Sequence, residues 1–252
     1  TFRDEAFPAY KAQREATPED IRASVPIIKD IITAMHIPVL QVDGFEADDV
    51  IGTLATKAGK AGVQTYMLTP DKDYGQLVRD NVFIFRPRHG GGYETMGPKE
   101  VCEKYELHSP TQVIDLLALM GDSADNFPGC PGVGPKTATK LIAEFGSIDS
   151  ILENSAKIKG KLREKVEGAV DDIRMSKFLA TIRTDVPVDL NLDALKLQEP
   201  DTARLAEIFT ELEFKSLLDK FVKKPQQPQK TVNLQLDLFA ENPTEDAVGS
   251  EF

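Results

Sequence analysis

The chain has 252 residues, 41% hydrophobic and 28% charged, with a formal net charge of −11. No apolar run approaches the roughly 20 residues of a membrane helix, and the opening TFRDEAFPAY lacks the basic and apolar stretches of a secretory signal, so the expectation is a cytoplasmic protein with no membrane partner. Cys102 and Cys130 are far apart with no second ligand pair, which argues against a zinc site or a disulfide scaffold and for two reduced thiols.

Thr17-Pro18-Glu19-Asp20 has the order of a helix start: a capping Thr, Pro at the first helical position, acids in the first turn. Ile21, Val25, Ile28, Ile32 and Met35 then repeat at helical spacing and predict a buried stripe. IPVLQV (37–42) reads as a buried strand, followed by a helix over about 46–60 that ends at Gly62. VQTYMLT (63–69) and VFIFR (82–86) read as further strands, and His89 to Gly92 as a turn or hairpin. Strand, helix, strand in this order predicts an α/β fold, a parallel sheet with helices on its faces.

After Pro110 the pattern becomes mostly helical, with helices over 111–120 and from Pro135 to about Phe145, and shorter ones to about Lys223. The expected division is an α/β core over 1–110, with a polar arch segment over 1–25, a helical subdomain over 111–224 and a disordered tail over 225–252.

Many of the acids fall in three short clusters. Glu46, Asp48 and Asp49 stand where a strand passes into a helix; Asp71 and Asp73 follow the next strand; Asp122 and Asp125 end the helix after Pro110. Each set has an ordinary reading as helix-start or turn residues. Taken together, at the ends of elements where open α/β sheets gather ligands, they predict a pocket for two divalent cations, Mg2+ or Mn2+. Such a pair of ions would clamp a phosphodiester, so a negative net charge does not exclude nucleic acid.

FPGCPGVGPKTATKLI (127–142) is the second signal. Gly129, Gly132 and Gly134 permit tight turns, and the helix that Pro135 starts offers free N–H groups to a phosphate beside Lys136, Thr137 and Lys140. This reads as a helix-hairpin-helix that grips DNA through its backbone, whose carbonyls are also candidates for K+; an ordinary Gly/Pro turn is the alternative. Lys157, Lys159, Lys161, Arg163 and Lys165 are either a further basic patch or a solvated face. Arg3, Tyr10, Lys11 and Arg14 are candidates for a cationic arch, with Tyr10 stacking a base, or for ordinary surface.

YKAQREATPEDI, GFEADDVIGTLA, TPDKDYGQLV, LMGDSADNFPGCPGVGPKTATKLI and ELEFKSLL together resemble the 5′-nuclease domain of bacterial DNA polymerase I and, more distantly, flap endonucleases. The resemblance covers about residues 1–222. It implies a PIN-like nuclease core followed by a helix-hairpin-helix subdomain. It implies metal ligands at Glu46, Asp48, Asp49, Asp71, Asp73, Asp122 and Asp125, and Lys11 and Arg14 beside the scissile phosphate. The implied substrate is branched or nicked duplex DNA with a 5′ flap, cut during replication and repair, with polymerase domains on the same polypeptide. It also implies an earlier strand and two further Asp ligands ahead of Phe2. On that reading this chain is a fragment that binds metal weakly and cleaves little. In the tail, Gln235, Leu236, Leu238 and Phe239 (QLDLF) look like a peptide that docks on a sliding clamp; a chance apolar patch or the first strand of a following domain are the alternatives.

Overall fold

The computed structural model describes residues 1–88 and 90–223; the expected tail and its QLDLF motif lie outside these residues. Packing groups the described residues into two compact units, one of residues 1–23 and 38–196, the other of 24–37 with the chain from Leu197.

In the first unit a short helix α1 (Phe2–Ala6) opens the chain. Helix α2 (Glu19–Ala34) begins there and runs into the second unit. Helix α3 (Ala47–Lys60) starts at Glu46, whose backbone is extended and whose N–H donates to Asp49 Oδ2 at 3.2 Å. Acids in its first turn and Lys57 and Lys60 in its last match the helix dipole at both ends. Gly52 lets α3 approach the 182–183 segment closely: a Cβ there would lie 2.6 Å from Ile182 Cγ2 and 3.2 Å from the Arg183 carbonyl oxygen.

Strands β1 (Thr65–Leu68) and β2 (Val82–Pro87) pair in parallel, Thr65 opposite Val82, as the sequence predicts. A third strand, β3 (Tyr93–Met96), turns back antiparallel on β2 through the hairpin, so the three-stranded sheet is mixed. Met67, Val82, Ile84 and Met96 are buried together on one sheet face, following the two-residue alternation of strands.

Helices α4 (Pro98–Tyr105), α5 (Val113–Met120), α6 (Pro135–Phe145), α7 (Ile148–Glu153), α8 (Lys161–Gly168) and α9 (Val170–Ala180) follow. Helix α5 is buried almost throughout, by Val113, Leu116, Leu117, Ala118 and Leu119, and packs on α6 and α9. It therefore ties the helical half to the turn after β1, which also packs against it.

In the second unit Ala34, Leu205, Ile208 and Phe209 form the buried centre, with Leu205, Ile208 and Phe209 on helix α10 (Thr202–Glu211). Asp201 N–H donates to Ala34 O at 2.7 Å, and Arg204 pairs with Asp30 at 2.6 Å.

Two expectations are corrected. Residues 37–42 form no strand, and Ile37, Val39 and Leu40 are exposed. An apolar run becomes a strand only when a neighbour completes its hydrogen-bond ladder, and none of the described strands pairs with this run. The α2 stripe is likewise not buried as a whole: Ile21, Val25 and Ile28 are exposed, and the packed face runs instead through Ile31, Ala34 and Met35.

Candidate active site

Three stretches far apart in sequence bring their acids to one cleft of about 680 Å³. Glu46 and Asp48 come from the start of α3, and Asp71 and Asp73 from the turn after β1. Asp122 and Asp125 come from the loop that leaves α5. Local bonds hold each stretch in shape. Asp71 Oδ1 accepts from Asp73 N–H at 3.0 Å, capping the six-residue 3-10 helix Lys72–Leu77. Asp122 Oδ1 accepts from Ala124 N–H at 2.7 Å, and Asp122 and Phe127 exchange backbone bonds of 3.1 Å, which closes the acidic loop.

Cations of the chain itself stand among these acids. Lys11 Nζ lies 2.8 Å from Glu46 Oε1 and 3.7 Å from Asp125 Oδ2, and Arg14 reaches Asp125 Oδ1 at 2.5 Å. Lys72 reaches Asp122 Oδ2 at 2.5 Å. Burial pushes the Asp122 carboxyl up, but the bond from Lys72 and two backbone N–H groups bring it below the usual carboxylate range. Lys72 is a cleft residue that the sequence reading does not pick out, although it lies directly between two of the predicted acids.

Asp73 differs from its neighbours. Its Oδ1 is buried without a hydrogen-bond partner, and burial, followed by repulsion from Asp71, pushes its carboxyl up to about 7. Asp48 is also raised, by burial above all, though Tyr74 Oη–H donates to its Oδ1 at 2.7 Å. The Tyr74 hydroxyl is itself shifted upward, by burial and then by Asp48.

Three predicted roles change. Asp49 does not face the cleft: it is 0% exposed, and Arg3 clasps it with two bonds of 2.8 Å. The backbone N–H groups of Arg183 and Glu46 take up its remaining lone pairs at 2.9 and 3.2 Å. Arg3 is no arch residue; at 2% exposure it also donates to Leu179 O and Thr181 O. Tyr10 is 4% exposed, with its hydroxyl 3.2 Å from Glu46 Oε2 and 3.3 Å from Asp125 Oδ2, so its ring is covered and no base can stack on it as placed. Burial, with Glu46 and Asp125 beside it, moves the Tyr10 phenol upward, so it stays a donor.

The acids share the cleft, yet among the described residues no three His, Cys, Asp or Glu side chains are grouped to hold one ion as they stand. Each wall that carries them instead has an acid paired with a cation of the chain: Glu46 with Lys11, Asp125 with Arg14 and Asp122 with Lys72.

The glycine hairpin follows the acidic loop directly. Gly129 is buried rather than offered to a ligand: its φ is +63°, a Cβ there would lie 2.2 Å from Gly121 N, and its N–H donates to Ser176 Oγ at 2.9 Å. Gly132 and Gly134 are exposed, Gly134 caps α6, and Lys136 and Lys140 project from that helix into solvent with Thr137 half-buried between them. Lys157, Lys159, Lys161 and Lys165 are exposed, while Arg163 pairs with Glu167 at 2.8 Å.

Two family models match the chain in succession. One described as "5′-3′ exonuclease, N-terminal resolvase-like domain" covers residues 1–106, and one described as "5′-3′ exonuclease, C-terminal SAM fold" covers 108–203. DNA polymerase I of Bacillus caldotenax is 37% identical over 253 residues, covering 100% of this chain and 29% of that protein. The thermostable DNA polymerase I of Thermus aquaticus is 43% identical over 221 residues, covering 88% of this chain and 26% of its own length. The chain thus spans under a third of these relatives. In fold it is similar to T5 5′-exonuclease with bound zinc, at a TM-score of 0.62 and 23% identity over 84% of this chain and 79% of that one. The catalytic core of Rad2 in complex with a DNA substrate gives a TM-score of 0.58 at 16% identity, over 89% and 77%.

Proposed function

Because the chain belongs to the 5′-3′ exonuclease family, whose two models account for residues 1–203 apart from Leu107, we propose that it hydrolyses DNA phosphodiester bonds at 5′ ends, flaps and nicks with Mg2+ or Mn2+ in the acidic cleft. The observation that carries this reading is the convergence of Glu46, Asp48, Asp71, Asp73, Asp122 and Asp125 on one cleft. Six carboxylates are a hard-oxygen donor set suited to divalent cations, and the buried, unpartnered Oδ1 of Asp73 is an acceptor that a cation would satisfy. T5 5′-exonuclease with its bound metal ions and Rad2 with its DNA substrate agree with both ligands.

Glu46, Asp48, Asp71, Asp73, Asp122 and Asp125 would hold the ions, whose chemistry would be to lower the pKa of a bound water and offset charge on the phosphate. Lys11 and Arg14, which also line the cleft, would bind the scissile phosphate; Lys11 is paired with Glu46 and Arg14 with Asp125. The Tyr10 hydroxyl lies between Glu46 Oε2 and Asp125 Oδ2 and gives its one proton to either, which restrains both carboxylates. The outer hairpin, Gly132, Gly134, Lys136, Thr137 and Lys140, grips the duplex through phosphates without reading sequence, and K+ is a candidate at its carbonyls.

Replication primer removal and repair, polymerase domains on one polypeptide and a cytoplasmic location go with this reading. A clamp-binding role for Gln235, Leu236, Leu238 and Phe239 rests on the QLDLF sequence and is tested by titrating that peptide against a sliding clamp by fluorescence anisotropy. The test of the main reading is a 5′-flap duplex incubated with the chain. Magnesium-dependent release of products carrying a 5′-phosphate, abolished by Asp122→Asn, is expected; a chain that binds the flap but never cuts it with Mg2+ or Mn2+ would leave a DNA-binding module instead.

A further inference from the structure

Tyr74 lies one residue after Asp73 in the turn that follows β1, and it is 3% exposed. Its ring belongs to the main hydrophobic core, while its hydroxyl donates at 2.7 Å to Oδ1 of Asp48, which lines the cleft. Asp48 belongs to a different wall, the first turn of α3, 26 positions earlier. The phenol therefore joins the segment that carries Asp71 and Asp73 to the segment that carries Asp48. Its hydroxyl makes no other side-chain bond among the described residues.

We propose that Tyr74 is a positioning residue of the metal site: by occupying Asp48 Oδ1 it fixes that carboxylate's rotamer, leaves Oδ2 to face the cleft, and sets how tightly the cleft binds divalent cations. The proposal rests on the nuclease reading above. Its physical basis is general. A ligating carboxylate held by an outer hydrogen bond loses little freedom on binding, and removing such a bond typically costs about 10–100-fold in metal affinity. Because the tyrosine ring is anchored in the core, the donor is held before any ion arrives, unlike Lys11 or Lys72, whose long side chains are free to move away.

Tyr74→Phe removes one oxygen and keeps the ring and its packing. The test is Mn2+ binding to the full chain, measured by calorimetry and by the loss of the free Mn2+ electron-paramagnetic-resonance signal. The expected result is a Kd weakened at least about 10-fold, a thermal midpoint near that of wild type, and a flap-cleavage kcat that recovers at saturating Mn2+. In an Asp48→Asn background the same change should have little further effect, because its path runs through Asp48. Wild-type affinity in Tyr74→Phe, or an equal loss in both backgrounds, overturns the proposal while the nuclease reading stands. A wild-type chain that binds no Mn2+ overturns both. A large fall in thermal midpoint with unchanged Mn2+ affinity assigns Tyr74 to the core alone and also overturns it.

Discussion

Asp49→Asn gives the sharpest separation between an acid that builds the fold and acids that serve the site. In the wild-type chain Asp49 is wholly buried and accepts two bonds from Arg3 and one each from the Arg183 and Glu46 backbones. The neutral amide leaves the buried Arg3 charge balanced only by Glu46 Oε2, at 3.3 Å and partly exposed. Breaking a buried ion pair on one side costs about 3–5 kcal/mol. For a chain of this size that corresponds to a thermal midpoint lower by roughly 6–20 °C. The double change Arg3→Met with Asp49→Leu should recover part of the loss, because apolar replacement of both partners is often nearly neutral. Recovery is incomplete because Leu179 O and Thr181 O lose their donors.

The pH dependence of this pair has a definite sign. Burial raises the Asp49 carboxyl, but Arg3 and the backbone donors outweigh it, so its folded-state value lies below the unfolded one. Its contribution is therefore present above about pH 4 and lost as pH falls through the depressed folded value. Urea midpoints of wild type and Asp49→Asn should be well separated at pH 7 and converge below pH 4. An Asp49→Asn chain as stable as wild type at pH 7 would refute the reasoning. So would one whose only defect is weaker Mn2+ binding, since Asp49 would then be a ligand.

Asp73 should behave in the opposite way. Its carboxyl is raised from 3.8 to about 7, so its charge costs stability that is absent below about pH 4 and complete above pH 7. In EDTA at pH 8, Asp73→Asn should raise the urea midpoint, by at most about 4 kcal/mol in free energy, and leave it unchanged at pH 4; a midpoint lowered at pH 8 contradicts this. Wild-type Mn2+ affinity should fall as pH drops below 7, as Asp73 takes up its proton. Replacing Lys136 and Lys140 by Ala should weaken DNA binding for all sequences alike and reduce the slope of log K against log salt by about one for each phosphate that is no longer neutralised; an unchanged slope, measured by anisotropy, would remove these lysines from the interface.

The helix starts and the parallel strand pair are legible because their signals are local. Glu46-Ala47-Asp48-Asp49 carries its own capping pattern, and TYML and VFIF alternate or run apolar at strand length. Strand β3 is not legible, since YETM is short and half polar and exists only because β2 lies beside it. The run IPVLQV misleads for the converse reason: its composition suits a strand, but composition supplies no partner. In the site, the cleft acids share recognisable positions at element ends. The fate of Asp49 is hidden because its partner is 46 residues away, although its spacing from Thr53 and Thr56 already places it on the buried face of α3. Lys72 and Tyr74 escape notice because a lysine between two aspartates and an aromatic beside a turn each have an ordinary surface or core reading. Only the fold shows that one reaches Asp122 and the other Asp48.

The most direct measurement is the anomalous scattering of a crystal of the chain soaked in Mn2+. The account predicts peaks inside the cleft, with carboxylate oxygens from at least two of the Glu46–Asp48, Asp71–Asp73 and Asp122–Asp125 segments in the coordination shell and with Lys11 or Lys72 displaced from its acid. A cleft free of anomalous density at saturating Mn2+, with Lys11 still on Glu46 and Lys72 still on Asp122, would contradict it.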